Sequence, residues 1–141
     1  MPGVQLPIFI YGTLLPGERY HPLLRGAVAA VQTARLPRAR LYDLGYFPML
    51  IDAPDGEARG LLITLRPERY DGIMALLDRV EGIGQASWGR PLFRRERRVI
   101  VTAGGRDVIA WVYVGWPPTV AGREPIDTDW KSYVLALVKS V

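Results

Sequence analysis

The alternation of apolar and polar positions divides the 141-residue chain into strands, two helices and short turns. Ile8 to Tyr11 is an apolar, β-leaning run that stops at Gly12 and enters a loop closed by Pro16-Gly17, a strong turn pair. A loop and a short helical turn follow, with Pro22 suited to a first helical position and Leu23 and Leu24 anchoring it to the core. Ala27 to Tyr42 reads as extended structure interrupted near Pro37. Residues 44–50 form a loop unusually rich in apolar side chains, so it is expected to fold over the core or line a pocket. Asp52 to Gly56 is expected to be a turn, and Gly60 to Leu65 a strand.

The clearest helix begins at Pro67, with Glu68 and Asp71 near its positive end and Gly82 as its stop. Tyr70, Ile73, Met74 and Leu77 recur at helical spacing and predict its buried stripe. Gly84 to Pro91, containing Trp88, reads as a connection and a candidate lid. Phe93 to Thr102, Gly104-Gly105 and Asp107 to Val114 predict a hairpin. Thr128 is expected to cap a last helix reaching about Lys139, its apolar side including Trp130, Tyr133, Val134 and Leu137. Strands dominate, with one central and one C-terminal helix. The fold class predicted is therefore α+β, a small mixed or antiparallel β-barrel. Residues 1–141 are expected to form a single domain. A dinucleotide-binding fold is excluded by the missing βαβ alternation and Gly-x-Gly-x-x-Gly run.

Composition narrows the function classes. No stretch approaches the roughly 20 apolar residues of a membrane span, and Met1 to Leu6 carries no basic leader. A cytoplasmic protein without membrane partners is expected. The absence of cysteine removes thiol nucleophiles, and the lone His21 makes an ordinary zinc site an unsuitable reading, so no metal is expected. The formal charge of +4 comes mainly from arginine, 16 against 2 lysines. Its densest cluster, Arg94, Arg95, Arg97 and Arg98 around Glu96, would divide between both faces of a strand rather than track phosphates. No nucleic-acid partner is expected.

Glu81 is the most informative residue. It lies eleven positions after Tyr70, and at about 100° per residue this returns it to the buried stripe. Burial and the negative helix end would both raise its pKa, as a general base that later acts as an acid requires. The alternative is a carboxylate that frays outward into solvent. The bare N–H groups of Gly12, Thr13 and Leu14 suit an anion, although an ordinary turn fits the same residues. Asp78 falls to the side of the stripe and is expected at the surface or as a helix-end partner. Glu96 is expected to pair with arginine. Tyr42 and Asp43 fit either a pocket or a structural role, and Tyr113 either the core or a cavity wall.

Together these stretches resemble the γ-glutamylcyclotransferase-like proteins, the avirulence-induced-gene-like cyclotransferase fold. Tyr11-Gly12-Thr13-Leu14 with Pro16-Gly17 and His21 resembles the family's opening motif, and Leu41 to Gly45 with Phe47-Pro48 its second. Leu77 to Gly82 is similar to the segment carrying the family's catalytic glutamate. Phe93-Arg94-Arg95 resembles the following aromatic-basic strand, and Asp129-Trp130 a late pair. The matches run in order from about residue 8 to 130.

The resemblance implies a small mixed barrel with a pocket between the first loop and Glu81. It also implies cyclisation of a γ-glutamyl amine, amino acid or peptide to 5-oxoproline, without a cofactor. Glu81 would be the catalytic acid/base, and Tyr11, Gly12, Thr13, Leu14, Phe93 and Tyr113 would bind substrate. Arg94 would either meet a negative group or pair with Glu96. Thr13 stands where serine is also common, and Phe93 where several relatives have tyrosine, a change that bears on the substrate. A non-catalytic binding protein that keeps the pocket is the alternative, and a basic nucleic-acid-binding barrel ranks third. Trp116-Pro117-Pro118, expected to be exposed, is a candidate homodimer contact.

Overall fold

The computed structural model describes residues 4–82 and 92–139. The connection expected at Gly84 to Pro91, with Trp88, lies outside the described residues. The elements are β1 (Ile8–Ile10), β2 (Val28–Asp43), β3 (Pro48–Leu65), α1 (Tyr70–Val80), β4 (Arg94–Thr102), β5 (Asp107–Val114), β6 (Pro125–Ile126) and α2 (Trp130–Lys139). Strands β3-β1-β5-β4-β2 lie side by side, and β2 pairs back to β3, which closes a five-stranded barrel; β6 adds to the outer end of β2. The β1–β5 pair is parallel and the other pairings are antiparallel, so the barrel is mixed. Closure leaves few unpaired strand edges.

All three residues of β1 are buried, which is why its sequence is continuously apolar instead of alternating. Gly60 of β3 passes so close to β1 that a Cβ there would lie 2.1 Å from the Ile10 carbonyl oxygen. The hairpin β4–β5 pairs Arg94 with Val114 through to Val101 with Asp107, as its alternation predicts.

The expected turn at Asp52 to Gly56 requires correction. These residues lie inside β3, which forms one long hairpin with β2 through the reversal at residues 44–47. Pairing passes from Pro37↔Glu57 to Ala39↔Asp52, so Arg38 stands opposite four residues. The Pro-Asp-Gly signal therefore makes a bulge that bends a continuous hairpin around the barrel. Arg38 takes the left-handed φ of 61° there. A Cβ on Gly56 would fall 2.3 Å from the Ala39 carbonyl oxygen, so the crossing requires glycine.

Helix α1 buries the predicted Tyr70, Ile73, Met74 and Leu77. Tyr70 donates its hydroxyl to the Leu6 carbonyl at 2.8 Å and accepts from Trp111 Nε1 at 3.1 Å, which pins the helix to β5. The helix stops where Gly82 turns to φ 80° and its N–H donates to the Arg79 carbonyl. For α2, the N-terminal cap is Asp129 in place of Thr128: its carboxylate accepts the Ser132 N–H at 2.8 Å and the Ser132 hydroxyl at 2.9 Å. Only Trp130 of its expected apolar side is fully buried, with Tyr133 and Val134 partly so. No helix among the described residues is long and apolar enough to cross a membrane.

Candidate active site

Where β1 ends, the chain folds into a compact loop. Leu15 N–H donates to the Gly12 carbonyl at 3.0 Å and Tyr20 N–H to the Thr13 carbonyl at 2.7 Å. His21 Nδ1 donates to the Leu14 carbonyl at 2.8 Å, so the histidine fastens the loop. Among the described residues, nothing accepts the N–H groups of Gly12, Thr13 or Leu14. Gly12 is packed against the second loop, since a Cβ on it would lie 2.6 Å from Pro48 Cγ.

That second loop is held by Asp43. One carboxylate oxygen accepts the Gly45 N–H at 2.6 Å and the other the Tyr133 hydroxyl at 2.8 Å. Helix α2 thus braces the second loop, and it braces the first as well: Trp130 Nε1 donates to Glu18 at 3.0 Å and Lys131 Nζ to the Pro16 carbonyl. The apolar character of residues 44–50 has its reason here, with Tyr46, Phe47 and Pro48 on the wall of a cavity of about 310 Å³.

The cavity brings together Glu81 and the six residues expected to bind substrate, while Tyr42, Asp43 and Arg94 are not among its lining residues. Tyr11, Gly12, Thr13 and Leu14 form one wall, Val80 and Glu81 come from the end of α1, and Phe93 and Tyr113 from the hairpin. Arg19 and Tyr20 complete the rim, and the Arg19 guanidinium sits 5.1 Å from the Tyr20 ring centre. Glu81 caps α1, its N–H donating to the Leu77 carbonyl at 2.9 Å. No described residue donates a hydrogen bond to its carboxylate, and burial raises its pKa from 4.5 to about 7. The inward reading of Glu81 is the one the helix geometry supports.

The two tyrosines are fixed from behind. Tyr11 donates its hydroxyl to the Tyr113 carbonyl at 2.6 Å, and Tyr113 donates its own to Asp78 Oδ1 at 2.8 Å. Burial is the main reason both phenols are held well above their ordinary pKa, with the Asp78 bond adding to the effect at Tyr113. The Glu81 charge is felt at both.

Asp78, expected at the surface or as a helix-end partner, has partners in the hairpin that the sequence did not identify. It is part-buried and accepts Arg95 Nε at 2.8 Å and Nη2 at 3.1 Å as well as Tyr113. Arg95 in turn lies 4.3 Å from the Trp111 ring centre. One signal was available: Asp78 precedes Glu81 by three residues, so the two share a helix face.

Arg94 is occupied elsewhere. It is ion-paired with Glu96, donates to the Gly115 carbonyl at 2.6 Å and covers the Trp116 ring at 4.6 Å. Trp116 is accordingly part-buried, contrary to the exposed position expected of it, while Pro117 and Pro118 are exposed. Among the described residues, no group of three or more histidines and acidic residues is placed to hold a metal.

A family model described as gamma-glutamyl cyclotransferase, AIG2-like, matches residues 8–132. No curated protein matches the sequence. Solved structures with the same fold include an Arabidopsis thaliana protein determined in solution, at 21% identity and a TM-score of 0.65, the match covering 96% of this chain and 76% of that one. An uncharacterised Pyrococcus horikoshii protein matches at 21% identity and a TM-score of 0.54, with 90% and 86% covered. A gamma-glutamyl cyclotransferase matches at 15% identity and a TM-score of 0.58, with 85% and 69% covered. At these identities the structures share the fold, and the family rests on the sequence model, which extends from β1 into α2 and takes in every wall of the cavity. The chain belongs to the gamma-glutamyl cyclotransferase, AIG2-like family.

Proposed function

We propose that the protein is a cyclising enzyme that converts a γ-glutamyl amine, amino acid or peptide to 5-oxoproline and releases the amine, with Glu81 as general base and then acid. The observation that carries this reading is a carboxylate with a pKa near 7 in a largely apolar cavity that is also lined by a loop whose N–H groups have no acceptor among the described residues.

The α-amine reacts as the free base, its ammonium proton having left to solvent. Its lone pair forms a bond to the γ-carbonyl carbon while the carbonyl π electrons move to oxygen. Glu81 carboxylate takes a proton from the attacking nitrogen. The tetrahedral intermediate then re-forms its carbonyl and expels the amine, which receives that proton from Glu81. No water or external nucleophile is consumed. Holding the two ends of one molecule together is itself a large rate factor.

A carboxyl with a pKa near 7 is partly ionised at neutral pH, so it serves in both directions. The N–H groups of Gly12, Thr13 and Leu14 suit the substrate's α-carboxylate or the developing oxyanion. Tyr11 and Phe93 contribute ring surface, Tyr11 having its hydroxyl committed to the backbone. The test is 5-oxoproline formation from a panel of γ-glutamyl amides. Release from one or more is expected; binding without product would make the chain a non-catalytic relative that keeps the pocket.

A further inference from the structure

The polar groups of the cavity are unevenly distributed. The first loop offers the N–H groups of Gly12, Thr13 and Leu14, which have no acceptor among the described residues, together with the Thr13 hydroxyl. The cavity also holds Glu81 and two phenols, Tyr11 leading into that loop and Tyr113 on β5, whose protons are committed elsewhere: Tyr11 to a backbone carbonyl and Tyr113 to Asp78. A hydroxyl has one proton and two lone pairs, so a phenol that donates to a carboxylate keeps only lone pairs for a ligand. Asp78 cannot rotate away from this duty, because Arg95 grips both its oxygens and is itself stacked on Trp111.

From this arrangement we propose that Asp78 is a positioning residue, which fixes Tyr113 Oη as an acceptor so that Tyr113 and Glu81 together hold the N–H groups of the substrate's α-amine. The inference rests on the cyclising reading above and assigns the end of the substrate that each wall takes. The amine nucleophile lies between Tyr113 and Glu81, and its lone pair is left pointing at the γ-carbonyl. A phenol free to rotate would offer its proton to that lone pair and block attack. Asp78 touches no substrate atom and acts through Tyr113.

The test is a double-mutant cycle on Asp78→Asn and Tyr113→Phe, read on a γ-glutamyl amide that the wild type cyclises. The matching glutaryl amide, which lacks the α-amine, serves as a competitive inhibitor. Each single variant is expected to lower kcat/KM by about tenfold or more, the range for losing one buried polar contact. The double variant is expected to be no worse than the poorer single, because both remove one device. The inhibition constant of the glutaryl amide should stay within about twofold of wild type in all three, as neither change affects a ligand without the amine.

Losses that multiply in the double variant, or weakening of the glutaryl amide in parallel with the substrate, would overturn the proposal. Should Asp78→Asn not fold, Tyr113→Phe still decides, since an unchanged kcat/KM there overturns it as well. A wild type silent on every γ-glutamyl amide would remove the cyclising reading itself, an outcome distinct from an active wild type with a multiplicative cycle.

Discussion

Tyr11, the residue that follows β1, donates its hydroxyl to the backbone carbonyl of Tyr113 on β5 at 2.6 Å, across 102 positions of sequence. The bond ties the strand that leads into the first loop to the strand that carries the second tyrosine. Both walls of the cavity are thereby held in one frame, and the carbonyl of a site residue is satisfied by the ring of its neighbour.

Tyr11→Phe removes this bond and leaves the Tyr113 carbonyl short of a buried partner. A loss of about 1–3 kcal/mol of stability is expected, measured by urea unfolding. The aromatic wall remains, so the effect on substrate binding should be the smaller one.

Glu81 makes stability depend on pH. Its folded-state pKa of about 7 lies above the ordinary 4.5, so the fold holds the proton more tightly than the unfolded chain does. The contribution is fully present below about 4.5 and is lost as pH rises to about 7. Glu81→Gln cannot ionise and should exceed the wild type in stability by about 2–3 kcal/mol at pH 8.5, with the difference closing towards pH 4.5. Urea unfolding at both pH values measures it. The wild-type kcat/KM should rise with pH through an apparent pKa near 7, and that limb should be absent from any residual activity of the variant.

Two glycine variants separate loop from barrel. Gly12→Ala sets a Cβ 2.6 Å from Pro48 Cγ, which displaces one cavity wall against the other. A rise in KM of about tenfold is expected from such a shift at the site. Gly60→Ala drives a Cβ into the Ile10 carbonyl at 2.1 Å, between two barrel strands. Its effect should be on folding, with several degrees lost from Tm, roughly 3–4 °C per kcal/mol in a domain of this size. Steady-state kinetics and a thermal melt distinguish them.

Tyr133→Phe frees one oxygen of Asp43 and loosens the brace between α2 and the loop bearing Tyr46 and Phe47. A stability loss of about 1 kcal/mol is expected, and KM should increase more than kcat falls, because that loop lines the cavity without carrying Glu81.

Much of this was legible in the chain because local rules and global structure coincide. Glu81 declared itself by continuing the Tyr70–Leu77 stripe, and an eleven-residue interval leaves a helix little choice of direction. The hairpin β4–β5 was legible from alternation around Gly104-Gly105. The long β2–β3 hairpin was not, because Pro54-Asp55-Gly56 carries the same signals whether it reverses the chain or bulges within a strand; only the pairing with residues 37–39 decides. Asp78 was hidden for a related reason. Its partners, Arg95 and Tyr113, lie 17 and 35 positions away, and nothing in the helix periodicity reports on them.

The most direct measurement is the identity and rate of the product formed from a γ-glutamyl amide by the wild type and by Glu81→Gln at pH 7.5. Intramolecular attack assisted by Glu81 predicts 5-oxoproline and free amine in equal amounts, no glutamate, and a rate at least about 100-fold lower in the variant. Equal rates in the two proteins would remove Glu81 from the chemistry. Glutamate as the product would contradict cyclisation and make water the nucleophile.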